Sequence, residues 1–165
     1  MSGSLLITNR QRAVALNTRL LRTLTQSLLT ELLELEEFDL GIFIVRAPEM
    51  AKVNETFLQH EGSTDVITFD YADSTTRNTE HGTRSIHGEI FICIDDAKAQ
   101  AKQFRTSWQS ELARYVIHGV LHLRGFDDLR PEARRKMKRE ESRLLKEMAR
   151  LFPLSKLGGR PRLAA

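Results

Sequence analysis

Residues 115–128, YVIHGVLHLRGFDD, decide how the rest of the chain is read. Tyr115 to Leu123 is an apolar run broken only by His118, Gly119 and His122. On a helix His118 and His122 stand one turn apart on the same face. Gly125 ends that helix, and the chain turns through Phe126 into Asp127 and Asp128, which brings a carboxylate back toward the two imidazoles. A helix buried on nearly all sides carries two imidazoles only if their nitrogens are satisfied. A divalent metal does this directly. His118, His122 and Asp128 are therefore expected to hold one zinc ion, leaving a fourth coordination position for water. A competing structural reading makes the histidines hydrogen-bonded core residues and Asp128 the cap of the helix that follows at Leu129-Arg130-Pro131.

Working outward, Ser4 to Thr8 is a short apolar stretch that reads as an edge strand. Leu16, Leu20, Leu24, Leu28 and Leu32 recur every fourth residue, predicting an amphipathic helix over 13–36. Phe38 to Val45 is dense in β-formers and reads as a strand, and Pro48 opens a shorter helix to Leu58. Residues 59–63 read as a loop. Thr64 to Tyr71 alternates polar and apolar residues like a half-buried strand. Residues 72–84 are polar and aperiodic, predicting a long mobile connection near a functional cleft. Gly88 to Ile94 is the most apolar strand candidate. Asp95 is expected to cap a helix to Phe104, and Thr106 with Gln109 to form a capping box for the helix carrying the histidines. Pro131 to Phe152 makes the last helix, with Ala133, Met137, Leu144, Met148 and Leu151 as its buried stripe.

The fold class is α/β (α+β): a small mixed sheet of about four strands packed by about five helices, with the histidine helix against the sheet. A chain of 165 residues fits one domain, read over 1–154, followed by a basic disordered tail over 155–165. Cys93 is the sole cysteine, which excludes an internal disulfide, and its apolar strand marks a buried inert thiol. No leader or membrane span is evident, which predicts a cytoplasmic protein. The net charge of +3 is unevenly placed. Residues 1–123 hold 12 Lys and Arg against 16 Asp and Glu, and residues 124–165 hold 13 against 6. A basic C-terminal quarter suits a polyanion partner, and equally a solvated helix face.

The stretch HGVLHLRGFDD resembles the signature of the YbeY family, whose pattern is His-Gly-x-Leu-His-Leu-x-Gly-Tyr-Asp-His. The match falls on His118, Gly119, Leu121, His122, Leu123, Gly125 and Asp127. Upstream, STDVITFDY (63–71) and HGEIFICIDDAKAQA (87–101) resemble that family's strand segments in order and spacing. The resemblance implies a single-strand-specific, zinc-dependent endoribonuclease that matures ribosomal RNA at the 16S 3′ end and aids ribosome assembly. The implied partner is ribosomal RNA on the small subunit, with no membrane, no small-molecule cofactor and a monomeric state. The alternative is a non-catalytic assembly or RNA-binding factor with a structural metal.

Two departures bear on activity. Where the family has a third His ligand this chain has Asp128. Asp is a legitimate zinc ligand, yet it leaves the ion with less net positive charge, so bound water is harder to deprotonate. The family's Arg after its Asn-x-x-Tyr segment is Leu58 here, following Asn54-Glu55-Thr56-Phe57, and Leu cannot bind phosphate. Gly119 follows the first His where HExxH peptidases place their Glu base, which excludes that mechanism. Glu89 is a candidate to orient a ligand from behind. No catalytic base is evident.

Overall fold

The chain forms strands β1 (Ser2–Asn9), β2 (Glu37–Val45), β3 (Val66–Asp70) and β4 (Ser85–Cys93), hydrogen-bonded as one sheet in the order β1-β2-β4-β3. The computed structural model describes residues 2–58, 64–72 and 84–159. β1 and β2 are parallel, as are β2 and β4, whereas β3 runs antiparallel to β4. Helices α1 (Thr18–Ser27), α2 (Ala47–Val53), α3 (Ile94–Phe104), α4 (Trp108–Leu123) and α5 (Pro131–Leu151) complete the fold. The expected mixed sheet of four strands with five helices is present. The loop read over 59–63 and residues 73–83 of the long connection lie outside the described residues. Among the described residues, no helix is long and apolar enough to cross a membrane.

Side chains alternate across a strand, so β2 and β4 feed two apolar clusters. Phe38, Leu40, Ile42, Ile44, Ile86, Ile90 and Ile92 enter the main core with α1, α4 and α5. Phe43, Val45 and Cys93 join Met50 and Val53 of α2 on the opposite face. Cys93 is fully buried, as expected of an inert thiol. α4 lies across the main face because Gly119 has no side chain. A Cβ there would stand 2.8 Å from Ile90 Cδ1 and Cγ2. Gly88 does the same on the strand, where a Cβ would stand 2.7 Å from Leu123 Cδ2 of α4. These approaches bring the histidine helix against the sheet.

Several boundaries differ from the sequence reading. α1 begins at Thr18 and not at 13, because the Asn17 side chain accepts the Leu20 N–H at 3.0 Å and caps it there. It continues as a π-helical turn, Leu28–Leu32. Leu21, Leu24 and Leu28 are fully buried, whereas Leu16, Leu20 and Leu32 are only half-buried. A strict every-fourth ladder advances about 40° beyond a full turn at each step, so it walks off the core face. Asp95 does not cap α3. Its carboxylate accepts the Ala47 N–H at 2.7 Å and both its oxygens lie 3.1 Å from Arg46 Nε, so it caps α2 from across the sheet end. α4 is capped by Ser107, whose Oγ accepts the Ser110 N–H, while Thr106 donates to buried Glu111. On α5 Leu151 is exposed and Ala133 half-buried, and Glu141 takes a place in the stripe beside Met137, Leu144 and Met148.

The tail also differs. Leu154–Leu157 forms a 3-10 turn, and Leu157 is fully buried in the main core. Asn17 N–H donates to the Leu157 carbonyl at 2.8 Å, and Gly159 N–H to the Ala15 carbonyl at 2.7 Å. An apolar side chain with a partner for each neighbouring backbone group docks however Gly-rich its surroundings are. Residues 160–165 lie outside the described residues.

Leu157→Ala is expected to destabilise by about 3 kcal/mol, a core truncation with a residual cavity, read from denaturant midpoints at unchanged slope. Gly119→Ala is expected to cost about 1–3 kcal/mol through overpacking, with partial recovery in Gly119→Ala/Ile90→Val measured in the same way. Equal stability of the single and double variants would show that Ile90 is not the obstacle.

Candidate metal centre

The last turn of α4 is closed by a Schellman motif. Gly125 sits at φ 100, its N–H donates to the His122 carbonyl at 2.9 Å, and the Phe126 N–H donates to the Leu121 carbonyl at 3.0 Å. Gly125 supplies the left-handed conformation that this reversal requires. The turn has two chemical consequences. It aims the Phe126 carbonyl at His122 Nδ1, 3.2 Å away. It also carries Asp128 back over the helix, with Oδ2 at 3.5 Å from His122 Nε2 and 3.9 Å from His118 Nε2. The Asp128 carboxylate therefore faces the imidazoles. The next helix instead begins after Arg130, without a side-chain cap.

The two imidazoles meet edge to face, with Nε2 to Nε2 at 3.0 Å. Their outer nitrogens settle which tautomer each adopts. A backbone carbonyl only accepts, so His122 carries its proton on Nδ1. His118 Nδ1 lies 2.9 Å from Glu141 Oε2, and a carboxylate likewise accepts. With both rings neutral, each Nε2 is a lone pair facing the other, with a carboxylate oxygen as third neighbour. Three electron-rich atoms in such contact call for a cation between them. One donor atom from each of His118, His122 and Asp128 falls within 4.8 Å of the others, a set that could hold a metal ion. Two imidazole nitrogens and one carboxylate oxygen form a donor set suited to zinc.

Electrostatics follow the same geometry. Burial pushes the His118 imidazole down, but the hydrogen bond and charge of Glu141, with the charges of Asp65 and Asp128, raise it above its ordinary value. Burial and then the neighbouring His118 hold His122 below its ordinary value, against the pull of Asp128. His118 and Asp128 line a cleft of about 850 Å³ between α4 and α5. Its walls include Asp65, Phe104, Arg114, Arg134, Lys138 and Glu141.

Every residue of the expected ligand set is brought together. Other expectations are redirected. Glu89 lies on the strand face opposite Ile90 and accepts the Tyr71 hydroxyl at 2.6 Å, so it does not orient a ligand. Glu141 does that work, 8% exposed and bonded to His118. Its signal in the sequence was an acidic residue in step with Met137, Leu144 and Met148 on an otherwise apolar stripe. Leu58 is exposed and is not among the residues lining the cleft. Arg114, one turn before His118, adds a guanidinium to the cleft beside that of Arg134, and nothing in its local spacing marks it for that place.

Known proteins resemble this chain in sequence and fold. The family model described as Endoribonuclease YbeY matches residues 6–149. A Chlorobium luteolum protein named Endoribonuclease YbeY is 37% identical over 99 residues, covering 60% of this chain and 66% of that protein. A protein of the same name from Parabacteroides distasonis is 36% identical over 107 residues, covering 65% and 69%. Another from Alkaliphilus metalliredigens is 28% identical over 151 residues, covering 90% and 97%. The chain thus spans about two thirds of the length of the first two relatives and nearly all of the third. A solution structure of a Thermotoga maritima protein shares the fold, with a TM-score of 0.64 at 21% identity over 98% of this chain and all of that one.

Glu141→Ala is expected to weaken zinc binding by about 10–100-fold, because loss of the outer acceptor frees the His118 ring. Competition against a fluorescent chelator measures this. Unaltered affinity would show that His118 is oriented by its packing alone.

Proposed function

This chain belongs to the YbeY endoribonuclease family, and we propose that it cuts single-stranded ribosomal RNA precursors with one zinc ion held by His118, His122 and Asp128. The carrying observation is the pair of Nε2 lone pairs facing each other at 3.0 Å beside the Asp128 carboxylate, inside a cleft. The relatives' printed name supports the substrate class. The finer reading is a monomeric, cytoplasmic, single-domain protein that acts on the small subunit's 16S rRNA near its 3′ end. The basic C-terminal quarter supports it, since Arg134 and Lys138 of α5 line the same cleft.

Zinc bound here would supply Lewis acidity to a phosphoryl oxygen and make a water more acidic. Everything else is performed by the chain. His118 and His122 present unprotonated Nε2 atoms because Glu141 and the Phe126 carbonyl take their Nδ1–H groups. Asp128 adds one negative charge, so the centre attracts phosphate less strongly than a three-histidine set would. Three protein ligands with the remaining side open to the cleft suit a catalytic site, whereas structural zinc is closed by four. That arrangement favours the enzyme over an assembly factor with a structural metal.

Metal-stripped protein is expected to leave single-stranded ribosomal RNA intact, and zinc reconstitution to restore its cleavage. His122→Ala is expected to abolish both zinc retention and cleavage while keeping the circular dichroism spectrum of the parent. Asp128→His should hold zinc at least as tightly as the parent and Asp128→Ala less tightly. Cleavage that survives in metal-free His122→Ala would refute the metal-dependent reading.

A further inference from the structure

Arg114 stands one helical turn before His118 on the same face of α4. Its side chain is 40% exposed into the cleft, yet its Nε is buried and has no hydrogen-bond partner. The carboxylates closest to it are Glu111 Oε2, 3.7 Å from Nε, and Glu141 Oε1, 3.7 Å from Nη1. Both distances exceed hydrogen-bond length. The charge of the guanidinium is therefore balanced while its planar fork of donors is left unfilled. A fork of this kind matches the oxygens of a phosphate diester. Phe104, the last residue of α3, lines the same cleft and is 61% exposed. Its apolar ring is offered to whatever enters. The other charged groups of the cleft are Arg134 and Lys138 on α5, set against Asp65 and Glu111.

We infer that the cleft beyond the metal ligands is a nucleotide subsite, in which Arg114 binds a backbone phosphate and Phe104 stacks on the adjoining base of a single-stranded RNA. The inference rests on the proposed ribonuclease function for the identity of the polymer. It adds where the strand lies relative to the ligands, and why the strand must be single: a base inside a duplex hides the face that an aromatic ring would cover.

The test is binding of a short single-stranded RNA to the zinc-loaded protein across a salt series, together with KM and kcat for its cleavage. Arg114→Ala is expected to raise Kd and KM about tenfold and to reduce the salt slope by about 0.7, the value of one phosphate contact on a single strand. Phe104→Ala is expected to raise Kd about tenfold with an unchanged salt slope, as loss of one stacked base does. Zinc content should match the parent in both. Arg19→Ala, which removes one positive charge from exposed α1 outside the cleft, is the control. If Arg114→Ala does not fold, Arg114→Gln keeps the aliphatic stem and makes the same measurement. Parent-like Kd, KM and salt slope in the Arg114 variants would overturn the inference and leave the ribonuclease reading standing. Binding that depends on both residues without cleavage would support the subsite and sink the ribonuclease reading. Failure of the parent to bind single-stranded RNA would overturn both.

Discussion

Two imidazole Nε2 atoms lie 3.0 Å apart beside the Asp128 carboxylate, a contact that needs a shared cation, proton or metal, and the local structure around them depends on meeting that need. Each ring is held at its Nδ1 from outside, His118 by a buried carboxylate and His122 by the carbonyl of the turn it precedes. Burying Glu141 is itself unfavourable unless the carboxylate finds donors, and His118 is the donor it finds. The arrangement is thus a chain of obligations. The buried glutamate is met by the His118 imidazole, and the half-buried far nitrogens of the two rings face each other beside the Asp128 carboxylate.

The backbone around this chain is shaped to hold it. Two glycines, Gly119 on α4 and Gly88 on β4, allow the histidine helix to close on the sheet. A third, Gly125, reverses the chain with the handedness that returns Asp128 to the rings. The sheet divides the labour between its faces. The face carrying Ile86, Ile90 and Ile92 supports the centre, and the opposite face, with Glu89 and its Tyr71 partner, takes no part. The other side of the cleft is α5, whose buried stripe trades one apolar position for Glu141 and whose outer turns carry Arg134 and Lys138. A single helix thereby serves core, ligand orientation and surface charge.

An Asp in place of a third imidazole shifts the electrostatics without dismantling the site. The centre loses one unit of net positive charge, and Glu141 close behind His118 adds a further negative group. Arg114, held between Glu111 and Glu141, places a guanidinium on the same cleft as His118 and Asp128, and Arg134 and Lys138 add positive groups to a lining that also holds Asp65.

Local periodicity and turn chemistry, read from the sequence alone, determined the four strands, the five helices and the clustering of His118, His122 and Asp128. The His118 and His122 pair and the Gly125 stop lie within eight residues, where helical spacing alone sets their geometry. Pro48 and the strand alternation are local in the same sense. What only the tertiary structure decided are interactions between distant segments. Glu141 reaches His118 from another helix, Asp95 caps a helix it does not belong to, and Leu157 finds a core built by residues far earlier in the chain. Glu141 and Arg114 look like ordinary surface charges when α5 or α4 is considered alone. Only the packing of one helix against the other takes Glu141 out of water and turns Arg114 into the cleft. Burial in a folded chain depends on neighbours that sequence spacing does not specify, and the cost of burying charge is what turns such residues into functional ones.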